Sequence, residues 1–371
     1  MSQTVLVTGG AGFIGAHVAL ELLGSGKHVR VFDNLVAQVH GDGDRPAYLE
    51  PDVELIAGDL RDPDAVRSAL LGVDSVVHLG ARVGVGQSMY EIAEYTSVNV
   101  VGTSVLLEAL MEHRVERLVV ASSMSVYGEG LYADPGGAVV PSVERTRTTL
   151  ERGQWDPCDP HGNPLQPLAT PEWKPPSLSS VYALTKYDQE KLCLIFGAAY
   201  DVPTVALRFF NVYGPYQALS NPYTGVLAIF ASRLMNDRRP LVFEDGNQRR
   251  DFVNVRDVAR AVHLALCSEA ASGGVFNVGS GESVSVEEVA HRLADVLNRT
   301  SLEPEITGKF RVGDIRHCFA DISLARAVLG YEPRVDMLDG LEELATWVGS
   351  QAATDRVDDA AAELEVRGLT V

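Results

Sequence analysis

Tyr182 and Lys186 stand four residues apart in Tyr182-Ala-Leu-Thr-Lys186. On a helix, positions i and i+4 share one face, so a phenol and an ammonium would meet there. A cation within ~4–6 Å favours the phenolate and lowers the tyrosine pKa. Such a pair suits proton transfer near neutral pH. The same pair is also common on ordinary helix surfaces, and its surroundings decide its meaning. Ser122-Ser123 closes an apolar run at Arg117–Ala121. Ligands bind at the carboxyl ends of strands in open parallel sheets.

A second arrangement concerns phosphate. Gly9, Gly12 and Gly15 are spaced G-x-x-G-x-x-G in Thr8-Gly9-Gly10-Ala11-Gly12-Phe13-Ile14-Gly15. Gly9 permits a tight turn, Gly12 lets a pyrophosphate approach the backbone, and Gly15 lets a helix pack on a strand. A helix N-terminus offers free N–H groups and a positive dipole end to the anion. The alternative is a plain strand-to-helix turn. Asp33, closing the next apolar run, can accept hydrogen bonds from an adenosine ribose diol and would repel a 2′-phosphate, which favours NAD over NADP. Asp59, before Leu60, reads either as an adenine contact or as a helix N-cap. Cys158-Asp-Pro-His161 carries half a metal knuckle, and one such pair cannot complete four-coordinate zinc; no metal is expected.

These residues need elements to hold them. Apolar runs at Thr4–Val7, His28–Phe32, Val53–Ala57, Ser75–Leu79, Arg117–Ala121 and Thr204–Phe209 read as strands. Helical patterns fall at Phe13–Leu23, Asp62–Leu71, Ser88–Glu112 and Ser180–Tyr200. Strand–helix alternation predicts an α/β fold with a parallel sheet covered on both faces. Residues 129–179 hold nine of the 18 prolines, so regular structure is not expected there. Trp155 and Trp173 point to a packed lid or wall. Further helices are expected at Val226–Met235, Val255–Cys267 and Val286–Leu297, strands at Leu241–Phe243 and Val275–Val278, and a frayed acidic helix at Asp355–Glu365.

Composition narrows the partners. The 371 residues carry 31 Lys and Arg against 50 Asp and Glu, a formal net charge of −19. That balance opposes nucleic-acid binding, which needs a basic face, and polybasic membrane attachment. An anionic small ligand would need a local cationic pocket. No leader or membrane-spanning run is apparent, and four scattered cysteines suggest a reducing, cytoplasmic setting.

The chain resembles the extended short-chain dehydrogenase/reductases, in their nucleotide-sugar epimerase/dehydratase branch. The matching pieces are Thr8–Gly15, Asp33-Asn34, Gly58–Asp62, His78–Ala81, Asn99, Ser122–Gly128, Tyr182–Lys186, Leu207–Pro215, Arg250–Val253, Asn277–Gly281 and Arg311–Asp314. The resemblance implies a doubly wound Rossmann domain over 1–210, with an insertion at 129–179 and a returning segment near 250–270. It further implies a smaller α/β substrate domain over 211–350 and an acidic tail over 351–371. It makes NAD the cofactor, with contacts from Gly9, Gly12, Phe13, Ile14, Gly15, Asp33, Asn34, Asp59, Leu60, Leu79, Ala81, Asn99, Tyr182 and Lys186. Tyr182 becomes the acid/base, tuned by Lys186, and Ser123 binds the reacting hydroxyl. Ser125, Asn211, Phe243, Arg250, Arg311 and Asp314 become substrate contacts, the two arginines gripping a diphosphate; guanidinium forks match phosphate oxygens. A homodimer through the Ser88–Glu112 and Ser180–Tyr200 helices is also implied.

The type of reaction follows from what Ser123-Met124-Ser125 lacks. Related dehydratases carry acidic residues just after the serine, because eliminating water needs a further acid and base. Related decarboxylases keep a Glu at the position of Ser125. What remains is hydride exchange and one proton shuttle, as in a 4-epimerase passing through a 4-keto sugar. Asp33–Gly41, Val83–Ser88, Ser122–Gly130, the proline-rich insertion and Asn221–Val226 are similar to the dTDP-L-rhamnose 4-epimerases and other 6-deoxysugar epimerases. UDP-glucose or UDP-glucuronate 4-epimerases and 4-ketosugar reductases share most of these motifs. A non-catalytic redox-sensing module would need no Ser/Tyr/Lys set.

Overall fold

In the computed structural model of the chain, residues 3–41, 43–218, 225–311, 313–351 and 357–370 are described. Most of the Asn221–Val226 motif, and Val312 within Arg311–Asp314, lie outside them. Seven apolar runs form one parallel sheet: β1 (Thr4–Thr8), β2 (His28–Asp33), β3 (Glu54–Ala57), β4 (Ser75–His78), β5 (Arg117–Ser123), β6 (Thr204–Phe209) and β7 (Val275–Val278). Their spatial order is β7-β6-β5-β4-β1-β2-β3. All six pairings are parallel. Every residue of β5 and β6 is buried, as expected when helices cover both faces. The chain winds outward from β1 in both directions, so a crevice opens at the carboxyl ends of β1 and β4.

Helices α1 (Phe13–Gly24), α2 (Pro63–Leu70), α3 (Gly102–Glu112), α4 (Val181–Tyr200) and α6 (Val255–Cys267) flank this sheet, with α5 (Val226–Met235) lying in sequence between α4 and α6. Asp62 caps α2, accepting from Asp64 N and Ala65 N. Ser180 caps α4 by accepting from Ala183 N at 3.1 Å, which places Tyr182 in the first turn facing the sheet end. The α6 helix returns from the far part of the chain and packs along α1.

A second core gathers α5, α7 (Val286–Val296) and α8 (Met337–Gly349) around Leu227, Phe230, Leu234, Leu293, Leu341 and Leu344. The molecule is therefore a doubly wound Rossmann sheet with a smaller α/β part beside it. A last helix, α9, runs over Val357–Val366. Its Leu364 is buried.

Two expectations are refined. Helical backbone runs unbroken from Ile92 to Glu112, not from Ser88, and it carries a π-turn. Short helical turns at Val85–Ser88 and Ile92–Tyr95 lead into a π-helical turn at Thr96–Val101 before α3 begins. Asn99 sits in this π-turn with its side chain turned inward: Oδ1 accepts from Arg82 N at 2.6 Å, and Nδ2 donates to Arg82 O and to Thr185 Oγ1. The insertion also has regular structure. Leu131–Ala133 is the middle strand of an antiparallel sheet between Val139–Val140 and Gln166–Leu168. Pro167 is tolerated because it sits on an edge strand, where no ladder donor is required of it.

Candidate active site

The glycine turn lies between β1 and α1. Gly9 has φ +67°, and a Cβ there would stand 2.8 Å from Gly80. On Gly15 it would stand 2.4 Å from Gly10 Cα, so that glycine brings helix and turn together. Gly12 is different. Its φ is −73°, and a Cβ would meet only Gly9 O, at 3.4 Å. No protein atom requires glycine at that point; the space stays open above the N-terminus of α1, as a pyrophosphate would need.

A cleft runs from this turn along the strand ends. It is lined by Gly9, Gly12, Phe13, Ile14, Gly15, Asp33, Asn34, Asp59, Leu60, Leu79 and Ala81, with His40 and Val36 at one end. Asp33 is buried and accepts from Ala11 N at 3.1 Å and Leu35 N at 2.9 Å. His40 Nε2 lies 3.7 Å from it. Asp59 is not the helix N-cap: it chelates Arg61, with contacts of 2.9 and 2.7 Å to its two oxygens, and the neighbouring helix is capped by Asp62. That pairing holds the Asp59 carboxyl below the usual carboxylate range. Asn99 lies just behind the cleft, fully buried.

Where this cleft meets the end of β5, Ser123, Tyr182 and Lys186 come together. Burial raises the pKa of the Tyr182 phenol, and the Ser123 hydroxyl beside it lowers it by less. Ser125 donates to Ser123 Oγ from both N (3.2 Å) and Oγ (2.9 Å). The expected lowering of Tyr182 by Lys186 is absent. The Lys186 ammonium instead donates to Gln189 Oε1 at 2.6 Å, and burial brings its own pKa down to about 8. Gln189 was missed in the sequence, although it stands three residues after Lys186 on the same helix. It ties the lysine to Thr103 (2.9 Å) and Gly80 O (3.2 Å).

Beyond the phenol, a second cavity collects Ser123, Ser125, Asn211, Phe243, Arg250, Arg311 and Asp314. Asn211 Oδ1 is buried with no hydrogen-bond partner, as a group aimed at a ligand would be. The Arg311 guanidinium lies 4.1 Å over the Phe243 ring. Arg250 Nη1 donates to Arg249 O and Arg316 O, Arg250 Nη2 donates to Ile315 O, and the head pairs with Asp314 at 3.5 Å. The structure thus gathers each predicted contact at one of two adjoining cavities, except Asn99, which supports the first from behind. Cys158 and His161 lie on an exposed turn hooked by Asp159, which accepts from His161 N and Asn163 N.

Comparison with known proteins accords with this geometry. The family model described as "NAD dependent epimerase/dehydratase family" matches residues 5–279. The chain belongs to that family. Among curated relatives, the dTDP-L-rhamnose 4-epimerase of Burkholderia thailandensis is 38% identical over 354 residues, spanning 94% of this chain and 96% of its own. Among solved structures, UDP-glucuronic acid 4-epimerase from Bacillus cereus, in complex with UDP-glucuronic acid and NAD, superposes with a TM-score of 0.76. It is 28% identical and covers 94% and 99% of the two chains. UDP-glucose 4-epimerase from Thermus thermophilus, in complex with NAD, gives 0.74 at 31% identity, covering 94% and 100%. NAD is the family's cofactor, and the open space at Gly12 and the carboxylate of Asp33 fit it.

Proposed function

We propose that this chain is an NAD-dependent nucleotide-sugar 4-epimerase acting on a dTDP-6-deoxyhexose such as dTDP-L-rhamnose. One observation carries the reaction type. Among the described residues lining the cavity beside Tyr182, Ser123 is followed by Met124 and Ser125, and the one carboxylate, Asp314, pairs with Arg250 at 3.5 Å, which suits a single proton shuttle and supplies no free second acid for elimination. The 38% identical relative supports the nucleotide and sugar. Bound along the glycine cleft, NAD would supply hydride exchange at C4. Tyr182 Oη takes the O4 proton and gives it back, and Ser123 Oγ orients that oxygen. Lys186, held by Gln189, would bind the nicotinamide ribose. Arg250 and Arg311 grip the diphosphate with Asp314 nearby, Asn211 contacts the substrate, and Phe243 flanks the base. The cofactor contacts are those lining the glycine cleft, with Asn99 placing the loop at Arg82. UDP-glucuronate and UDP-glucose are the second reading, favoured by the ligands of the solved neighbours.

Tyr182→Phe should lower C4 inversion by roughly 10²–10⁴-fold, followed by NMR of the sugar ring. Near-normal turnover would remove the assignment. A thermal-shift panel of dTDP- and UDP-sugars separates the two substrate readings, since a ligand of the native state raises stability. We also place the enzyme in the cytoplasm, on its four free cysteines, and infer that it pairs with a second copy. Among the described residues no helix is long and apolar enough to cross a membrane. The pairing face would be α4 and α3, where Leu184, Ile195 and Met111 are exposed.

A further inference from the structure

The last helix reaches the reaction centre. Leu364 on α9 is 5% exposed and lines the same cavity as Ser123, Tyr182 and Arg250. Its Cδ atoms lie 3.4 Å from where a Cβ on Gly86 would stand. Gly86 belongs to the segment that ends at Ser88, whose Oγ accepts from Tyr182 N at 3.0 Å. Leu364 is therefore one short segment away from the backbone of Tyr182, in the cavity that Ser123 and Tyr182 also line.

The helix is tied down on both sides. Asp358 accepts from Arg233 at 2.7 Å and Arg238 at 2.6 Å, and Glu365 pairs with Lys309 at 3.4 Å. These are anchors in the smaller part of the molecule. Arg367 lies 4.2 Å over the ring of Tyr90, an anchor in the larger part. Thr370 forms an antiparallel bridge with Arg311 itself. Single exposed ion pairs contribute little, but anchors on both walls hold one helix across one opening.

We propose that α9 is a wall of the substrate cavity and that Leu364 selects the sugar's C6 group, favouring a methyl over a hydroxymethyl or carboxylate. This deepens the nucleotide-sugar reading above and rests on it. The chemistry is the chemistry of desolvation. Val85, Gly86, Ile229 and Leu364 offer a C6 hydroxyl no hydrogen-bond partner from their side chains, so covering it would leave it unsatisfied; a carboxylate would fare worse. A methyl covered by the same atoms gains contact.

The test uses the full-length enzyme loaded with NAD and a matched pair of ligands, dTDP-glucose and dTDP-6-deoxyglucose, measured by calorimetry with dTDP alone as reference. The unsubstituted enzyme should prefer the 6-deoxy compound. Leu364→Ser should erode that preference roughly tenfold, leave dTDP affinity within about twofold, and so show that the fold and diphosphate site are intact. Leu364→Met should keep the preference. An unchanged preference in Leu364→Ser, or none in the unsubstituted enzyme, would overturn the proposal. Binding is read apart from turnover: if C4 inversion is absent but the preference behaves as stated, the reaction reading falls and the wall stands.

Discussion

At the residue scale, the lysine of the reaction centre is positioned by groups that reach into the middle of the sheet. Lys186 donates to Gln189, and Gln189 Nε2 lies 3.1 Å from His78 Nε2. His78 in turn contacts Thr8 Oγ1 at 2.8 Å and Thr103 Oγ1 at 2.9 Å. Full burial drives the His78 pKa down from 6.5 to about 3, with the Lys186 charge adding to it. The ring is thus neutral in the folded state across the useful pH range. As pH falls below 6.5 the unfolded chain binds a proton that the folded chain refuses, so stability is lost. At 1.36 kcal/mol per pH unit, the loss from this one group is about 2 kcal/mol by pH 5. Chemical denaturation at pH 7.5 and pH 5 should show it. His17 and His317 are lowered as well, so His78→Gln should flatten part of the slope. A slope unchanged in that variant would refute the account.

Much of this scale was legible beforehand. Tyr182, Ser123 and the three glycines announce themselves because their chemistry is carried by short, local spacings. Gln189 was legible in principle, sharing the helix face of Lys186. Leu364 was not. Its meaning lies in a contact with Gly86 between opposite ends of the chain, and no local pattern encodes that.

At the element scale, the strands were legible because parallel strands buried on both faces are continuous apolar runs. The π-turn leading into α3 was not, because helical periodicity passes smoothly over such a turn. The proline-rich insertion misled for a similar reason. Proline forbids central strands but not edges, and the pairing that distinguishes the two is not local. What fixes the insertion is a buried set of charges. Arg316 is 1% exposed; it binds Asp156 at 2.8 Å, Glu244 at 3.0 Å and Asp245 at 2.6 Å. Arg145 joins Glu129 at 2.8 Å to Glu244 at 2.6 Å. Asp156, Arg145 and Glu129 come from the insertion, and Glu244, Asp245 and Arg316 from the smaller part. Arg316→Met leaves Asp245 without its main counter-charge and removes one of the two cations on Glu244, which keeps Arg145. Removing one partner of a buried pair costs about 3–5 kcal/mol. Urea denaturation should register that loss, and a change under ~1 kcal/mol would show the set to be dispensable.

At the scale of the whole molecule, the net charge of −19 coexists with an anion-binding cavity because the cations are placed, not numerous. Arg250 and Arg311 face one cavity and Lys186 its neighbour. The acidic surplus is spread elsewhere, on α9 among other places. The exposed apolar residues also have a pattern. Leu184 is 46% exposed and Ile195 66% on α4, a face suited to a second copy. Light scattering should report a dimer, and Ile195→Glu should shift it toward monomer. A monomer in the unsubstituted chain would dismiss that pairing.

The edge strand β7 has a further consequence, for synthesis. The sheet begins at residue 4 but closes only at Val275–Val278, and α6, packed on α1, is made just before it. The ribosome must add 69 residues between the end of β6 at Phe209 and the end of β7 at Val278 (278 − 209). At ~5–20 residues per second that is roughly 3–14 s. During that interval β6 is an unpaired edge with apolar faces, and α1 lacks its cover. A stalled or truncated chain ending near residue 210 would carry every residue of the Ser/Tyr/Lys set and still expose a sticky edge. Expressed alone, that fragment should aggregate, and the catalytic half of this protein is not a separable module.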